Sequence, residues 1–234
     1  MKTIKIAYLY SDLCNIFGES YNINALEKYI TLAGAKCNID KLTIKDKIDF
    51  SKYDLFYLAS TRKYSQNLVL EDLFKYKNDI KKAINRGAVF IVLGNSMELF
   101  GKKIRTNRGK SIPCLDIFSY QTREEKNWIV TDCFYSYDKL QENKTIISLK
   151  SKNTNIVRND SKRMFMLSDS FNDLNFFAFE LVGPILVRNP YFTIYLVKRL
   201  FEYKGLDFNN IDNTIEMEAY HLFVDKYITN SIID

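Results

Sequence analysis

The stretch AVFIVLGNSMELFG, Ala88 to Gly101, decides the fold. Ala88 to Leu93 is apolar without interruption, the pattern of a strand covered on both faces. Gly94 breaks the run, and Asn95 to Phe100 reads as a short helix. A strand, a sharp turn and a helix in that order lift the turn residue above a parallel sheet, and in many α/β enzymes that residue is a nucleophile. Here the turn residue is a glycine, with no side chain to attack anything. The framework for covalent chemistry is present and its reacting atom is missing.

The elements before this turn support a sheet of the same kind. Thr3–Tyr10 reads as a central strand, apolar on both faces. Asn22–Leu32 reads as a helix with the stripe Ile23, Leu26, Tyr29 and Ile30, stopped at Gly34. Lys36–Leu42 alternates like a half-exposed strand, and Leu55–Leu58 is a short buried one. Glu71–Arg86 reads as one helix, with Leu73, Phe74, Ile80 and Ile84 inside and Lys75, Lys82 and Arg86 in water. This βαββαβ order predicts an α/β fold, a mostly parallel sheet flanked by helices. Ligands of such sheets sit at the carboxyl ends of the strands, where Gly94 lies.

The second half predicts extra short strands at Asp116–Tyr120, Trp128–Tyr135, Thr145–Lys150, Met164–Leu167 and Phe176–Val182. Charged or Asn-rich turns such as REEKN and KSKNTN separate them. Helical periodicity returns over Pro190–Tyr203 and Asn213–Ile228. No internal repeat is visible.

Composition narrows the function. The chain has 234 residues, 47% hydrophobic and 15% aromatic, with 3 Pro and 8 Gly, enough for a sizeable core and against long linkers. A single domain over 1–234 is expected. The formal net charge of +6 is mild and spread out, unlike the sharp basic stripe of a nucleic-acid binder. The densest cluster, KKIRTNRGK, holds Lys102, Lys103, Arg105, Arg108 and Lys110. It reads as a solvated loop or, more sharply, as a surface for a phosphorylated or carboxylate-bearing ligand. The cysteines Cys14, Cys37, Cys114 and Cys133 have no metal-type spacing. Met1 leads straight into a strand, and no apolar run nears the ~18–20 residues of a membrane span. A cytoplasmic protein with reduced thiols is expected. No GxGxxG or GxxxxGK[ST] suggests a nucleotide, and no cofactor or metal is expected.

Four segments, in order, resemble one family. YSDLCNIFGESYNINAL (Tyr10–Leu26) is similar to an N-terminal strand-to-helix signature. GNSMELFG (Gly94–Gly101) looks like a nucleophile turn that normally reads Cys-Gly-Gly-Tyr-Gln-Leu-Leu-Gly. SIPCLDIFSYQT (Ser111–Thr122) resembles the segment that follows, and VGPILVRNP (Val182–Pro190) one that normally begins His-Gly-Pro. Together they resemble the glutamine amidotransferases of the cobyric acid synthase type, most of all the glutaminase subunits of lipid II isoglutaminyl synthases. The resemblance implies a flavodoxin-like class I glutamine amidotransferase fold. It implies a Cys nucleophile and a His base that release ammonia from glutamine through a thioester. A Mur-ligase-like partner would then amidate an activated carboxyl on the peptidoglycan precursor.

The same registration puts the Cys position on Gly94 and the His position on Val182. The family's helix-borne Gln falls on Glu98, its Arg near Asn127, and its Gly-Gly-Gly-Gln stretch on Ala59–Arg62. Each departs from the pattern. The resemblance therefore implies a degenerate subunit with vestigial positions Gly94 and Val182 and a vestigial pocket of Asn95, Ser96, Glu98 and Asn127. Glycine at the turn relieves strain of ~1–3 kcal/mol, and valine suits a strand. The expected role is a non-hydrolytic partner or scaffold of a Mur-ligase-like synthetase. The alternatives are a glutaminase with a relocated nucleophile, and a module that binds a glutamine-like or muropeptide ligand in the vacated pocket.

Residues that could rescue the chemistry have plainer readings. Ser96 is expected to bond backbone in the first helical turn, since a nucleophile needs a base behind it. His221 is the sole histidine. With the stripe Ile215, Ala219, Leu222 and Phe223 facing inward, it is expected to face water. Cys14, Cys114 and Cys133 read as small packed hydrophobes. Asp12 and Glu19 read as solvated loop charges or a helix cap.

Overall fold

The computed structural model describes residues 2–136, 145–157 and 175–231. The first sheet contains β1 (Thr3–Leu9), β2 (Lys36–Leu42), β3 (Leu55–Leu58), β4 (Val89–Leu93) and β9 (Phe176–Phe179) in the order β2-β1-β3-β4-β9. Every pairing in it is parallel. This is flavodoxin-like order, whose topological switch point falls between β1 and β3. The inner strands β3 and β4 are buried along their whole length, as their unbroken apolar runs require. Phe56, Phe90 and Phe176 stand in register on β3, β4 and β9, with ring centroids 4.6 and 5.5 Å apart. Phe50 extends that row at 4.9 Å from Phe56.

The helices are α1 (Ser20–Leu32), α2 (Lys63–Phe74), α3 (Lys77–Asn85), α4 (Ile185–Arg188), α5 (Pro190–Lys204) and α6 (Thr214–Ser231). The single helix expected over Glu71–Arg86 is two. Lys75 and Tyr76 close α2 with tight bonds from their N–H groups to the Asp72 and Leu73 carbonyls. Tyr76 then leaves helical geometry (φ −108°, ψ 8°), and its ring packs 5.5 Å from Phe50. A tertiary contact thus overrides the local period. Phe74, expected inside, is 40% exposed, while Leu70 and Leu73 take the inner face. The stripe predicted for α6 is also corrected. Ile215 and Leu222 are exposed, and Tyr220 is the buried anchor, donating its O–H to the Thr145 carbonyl at 2.6 Å.

The second sheet has the order β10-β8-β7-β5-β6, from β5 (Lys103–Arg105), β6 (Ser111–Pro113), β7 (Gln121–Ser136), β8 (Thr145–Val157) and β10 (Leu181–Val182). REEKN and KSKNTN, expected as turns, lie inside β7 and β8. These two strands pair antiparallel, and a register shift between Glu124 and Ile129 absorbs most of REEKN. Asp116–Tyr120 is not a strand. It crosses the turn after β4, where Ile117 and Phe118 donate their N–H groups to the Phe100 carbonyl. The expected strand Phe176–Val182 divides between the sheets at Glu180, β9 joining the first and β10 the second. Met164–Leu167 lies outside the described residues.

Candidate functional site

The turn after β4 sits where the sequence placed it. Gly94 has φ +56° and opens a 3₁₀ helix, Gly94–Phe100. A β-carbon built on Gly94 would lie 2.7 Å from Ser60 Cβ and 2.9 Å from Val182 Cγ1, closer than carbon atoms tolerate. Ser60 and Val182 together fill the space from which a side chain at this turn would grow. Val182 is itself buried on β10, where its carbonyl accepts from the Ser148 hydroxyl at 2.9 Å.

The loop Ala59–Arg62 after β3 is locked to the turn. The Asn95 side-chain oxygen accepts from the Thr61 N–H at 3.0 Å, and its amide donates to the Thr61 carbonyl at 2.7 Å. The Ser96 hydroxyl donates to the Ala59 carbonyl at 2.6 Å, the backbone bond expected of it. Gln66, on α2, donates to the Asn95 carbonyl at 2.7 Å and to Glu98 Oε2 at 3.1 Å. Glu98 also accepts from the Thr154 hydroxyl on β8. Burial holds its carboxyl above the usual range, against the opposing pull of the Thr154 and Gln66 hydrogen bonds and of Lys63.

Glu19 corrects the sequence reading. It stands at the start of α1 without capping it, fully buried, and its carboxylate accepts from the Phe17 N–H at 2.9 Å and from the Ser60 hydroxyl. Asp12 is exposed, as expected. Asn22, also fully buried, donates to the Tyr57 hydroxyl at 2.8 Å and to the Gly183 carbonyl at 2.9 Å, and accepts from the Leu186 N–H at 2.8 Å. The first loop-and-helix segment therefore clamps the Val182–Pro190 segment, the last of the four motifs, against the site.

A cavity of about 310 Å³ opens beside the turn, lined among others by Ser60, Asn95, Glu98, Trp128, Lys152 and Val182. Strands β7 and β8 cover one side. Lys152 donates to Glu180 Oε1 at 2.6 Å, and Lys150 reaches the other oxygen of that carboxylate at 3.0 Å. Burial pulls the Lys152 ammonium below its usual range, while Glu180 pulls it back up. Lys63, at the start of α2, pairs with the buried Glu124 of β7. Asn127 lies in the register shift of β7, exposed and outside the cavity lining, while the adjacent Trp128 lines it and donates its indole N–H to Ser151 at 2.9 Å. Gln66 on α2 and Trp128, Lys152 and Thr154 on β7 and β8 carry no local signal of a site; they meet only in the folded chain.

Among the described residues, no histidine or cysteine lines this cavity. His221 is exposed on α6, within 3.1 Å of the Tyr191 hydroxyl. Cys14 is fully buried, and burial pushes its thiol up to about 12, although hydrogen bonds with Thr61 and Ser96 pull the other way. A thiol in that state is not a nucleophile at neutral pH. Cys114 is buried like Cys14, whereas Cys133 is only partly so. Among the described residues no group of three or more His, Cys, Asp or Glu could hold a metal ion, and no helix is long and apolar enough to cross a membrane.

A flavodoxin-ordered parallel sheet with a strand–turn–helix at the carboxyl end of β4 and a second sheet beside it places the chain among α/β proteins of the flavodoxin-like class. Residues 5–155 match the CobB/CobQ-like glutamine amidotransferase domain, and the chain belongs to that family. It is 24% identical to the lipid II isoglutaminyl synthase (glutamine-hydrolyzing) subunit GatD of Staphylococcus aureus (strain N315), over 97% of each chain. It is 23% identical to the GatD subunit of Streptococcus pneumoniae (strain ATCC BAA-255 / R6), over 99% of this chain and 91% of that one. Among solved structures, a glutamine amidotransferase crystal structure superposes with a TM-score of 0.51 at 8% identity, over 83% of this chain and 98% of the other. The glutaminase domain of Trypanosoma brucei CTPS, with bound acivicin, gives 0.52 at 9%, over 88% and 96%. At these identities the two structures speak for the fold alone.

Proposed function

We propose that this chain is a catalytically degenerate glutamine amidotransferase-like subunit, one domain over residues 1–234, that acts in the cytoplasm as the non-hydrolytic partner of a Mur-ligase-like amide synthetase. By its likeness to the GatD subunits, the process it serves is amidation of the peptidoglycan precursor lipid II. The observation that carries the reading is the packing at Gly94. A nucleophile needs a β-carbon at the turn, and that position is hemmed in by Ser60 and Val182. Val182 occupies the position that the family resemblance gives to the base, and His221 is engaged with Tyr191 instead. The scaffold meanwhile keeps its internal order, because the Asn22, Asn95 and Glu98 networks are satisfied. A complex built on this subunit would take free ammonia. Gentle co-purification followed by mass analysis tests the partner role. Recovery of a Mur-ligase-like protein is expected, and its absence contradicts the role.

The cavity beside the turn favours a second reading, a module that binds a glutamine-like or muropeptide ligand. Thermal-shift titration with glutamine, glutamate and muropeptides tests it. A saturable rise in melting temperature with one of them supports this reading, and no shift with any of them counts against it.

A further inference from the structure

The basic loop that the sequence singled out forms, with the start of β7, a second concave site away from the turn. Strands β5 and β6 are a tight antiparallel pair, and the loop between them is ordered by its own bonds. The Thr106 N–H donates to the Lys110 carbonyl at 2.8 Å, and the Lys110 N–H to the Thr106 hydroxyl at 3.0 Å. Strand β5 also pairs in parallel with β7, which sets Arg105 directly beside Arg123. Lys103, Arg105, Arg123 and Lys126 line one side-by-side groove of about 560 Å³, with Asn107, Gly109 and Ser111 at its loop end.

Among the described residues that line the groove, four cations outnumber two carboxylates, and only part of the positive charge is offset. The carboxylates are Glu124 and Glu125. Glu124 is already committed on both oxygens, one to Lys63 and the other to the Asn107 N–H at 3.1 Å. Glu125 accepts from the Asn155 amide at 3.2 Å. Among the described residues, Lys103, Arg105, Arg123 and Lys126 have no side-chain hydrogen-bond or ion-pair partner, and neither do the flanking Lys102, Arg108 and Lys110. Like charges placed opposite each other on neighbouring strands destabilise a sheet unless something neutralises them.

We propose that this groove binds a diphosphate group. Neighbouring strands lie ~4.8 Å apart, so the paired guanidinium forks of Arg105 and Arg123 match two linked phosphate tetrahedra, each taking a bidentate fork. A lone carboxylate would satisfy one fork and leave the other exposed. Lys103 and Lys126 add point charges at the two flanks. The site is independent of Gly94, and it holds whether or not the subunit hydrolyses glutamine. Its ligand is a diphosphate carried either by a soluble molecule or by a lipid.

Calorimetric titration of the intact protein at low ionic strength with pyrophosphate, orthophosphate and sulfate tests the assignment. Pyrophosphate is expected to bind at least about tenfold more tightly than sulfate, and R105S/R123S to lose about tenfold or more in affinity. K45S/K81S, which removes the same charge from exposed positions elsewhere, is expected to bind as the parent does. R105K/R123K, with charge kept and forks removed, is expected to fall between. Both arginines are exposed, so neither variant should lower the melting temperature, and R105S/R123S, which removes the like-charge pair, should raise it slightly. Equal affinity for sulfate and pyrophosphate, or a parent-like R105S/R123S or R105K/R123K, overturns the proposal. Phosphatidylcholine vesicles doped with farnesyl diphosphate separate the sources. Sedimentation with them, reversed by free pyrophosphate and absent in R105S/R123S, assigns a lipid-borne group. Pyrophosphate binding without sedimentation assigns a soluble one.

Discussion

The two sheets follow different rules. In the first, burial on both faces dictates the sequence: β3 and β4 are continuous apolar runs, and the Phe56, Phe90 and Phe176 rings stack across them. In the second, β7 exposes Trp128, Ile129 and Val130 in succession and breaks register beside them. The first sheet is held by its side chains in bulk. The second adds to a few buried anchors such as Ile104, Ile146 and Leu181 its ladder and several polar ties, Lys63 to Glu124, Thr154 to Glu98 and Lys152 to Glu180. The stiff sheet presents the turn, and the polar one determines what surrounds it.

The largest effect expected from that contrast is on the core. Phe90→Ala removes a ring stacked on both neighbours and should cost about 3–5 kcal/mol in denaturant unfolding, whereas Val130→Ala on β7 should stay within about 0.5 kcal/mol. Similar losses at the two positions would erase the distinction. Next comes the tie between α1 and the Val182–Pro190 segment. Asn22→Ala strips three buried hydrogen bonds and should cost about 3 kcal/mol. A loss below about 1 kcal/mol would mean that the clamp contributes little to stability.

A smaller effect is expected at the turn. Gly94→Cys should destabilise by about 2 kcal/mol, from the left-handed backbone and the overlap with Ser60 and Val182. Val182→Ala should relieve part of that loss, so a double-mutant cycle between G94C and V182A should give a favourable coupling. Strict additivity would mean that the crowding is not felt. The smallest effect is at Glu98. Its carboxyl is raised in the folded state, so the folded chain binds the proton more tightly than the unfolded one. The stability that this proton supplies is complete below the unfolded value near 4.5 and is lost as pH rises through the folded value. Glu98→Gln keeps an acceptor for Gln66 and removes the ionisation. Its stability relative to the parent should therefore rise as pH increases above about 4.5. A pH-independent difference in unfolding free energy would contradict this.

What the sequence disclosed follows the same division. The parallel sheet was legible because continuous apolar runs are visible residue by residue, and β2 and β3 fall on their expected bounds. The turn at Gly94 was legible because one glycine interrupts such a run. β7 and β8 run beyond the expected Trp128–Tyr135 and Thr145–Lys150, since charged residues on a solvent-facing ladder look like turns until a partner strand supplies their hydrogen bonds. Glu19 was misread because its partners, Ser60 and Phe17, are contributed by the folded loop rather than by spacing. Trp128 and Lys152 meet at the cavity only through the β7–β8 pairing, which no local pattern encodes.

The proposed loss of reaction from a kept framework calls for a measurement of glutamate release from glutamine by the purified chain, alone and with a synthetase subunit bound. No release above a protein-free control is expected in either state. Sustained release that is abolished by Cys14→Ala or Ser96→Ala would contradict that loss and identify a relocated nucleophile.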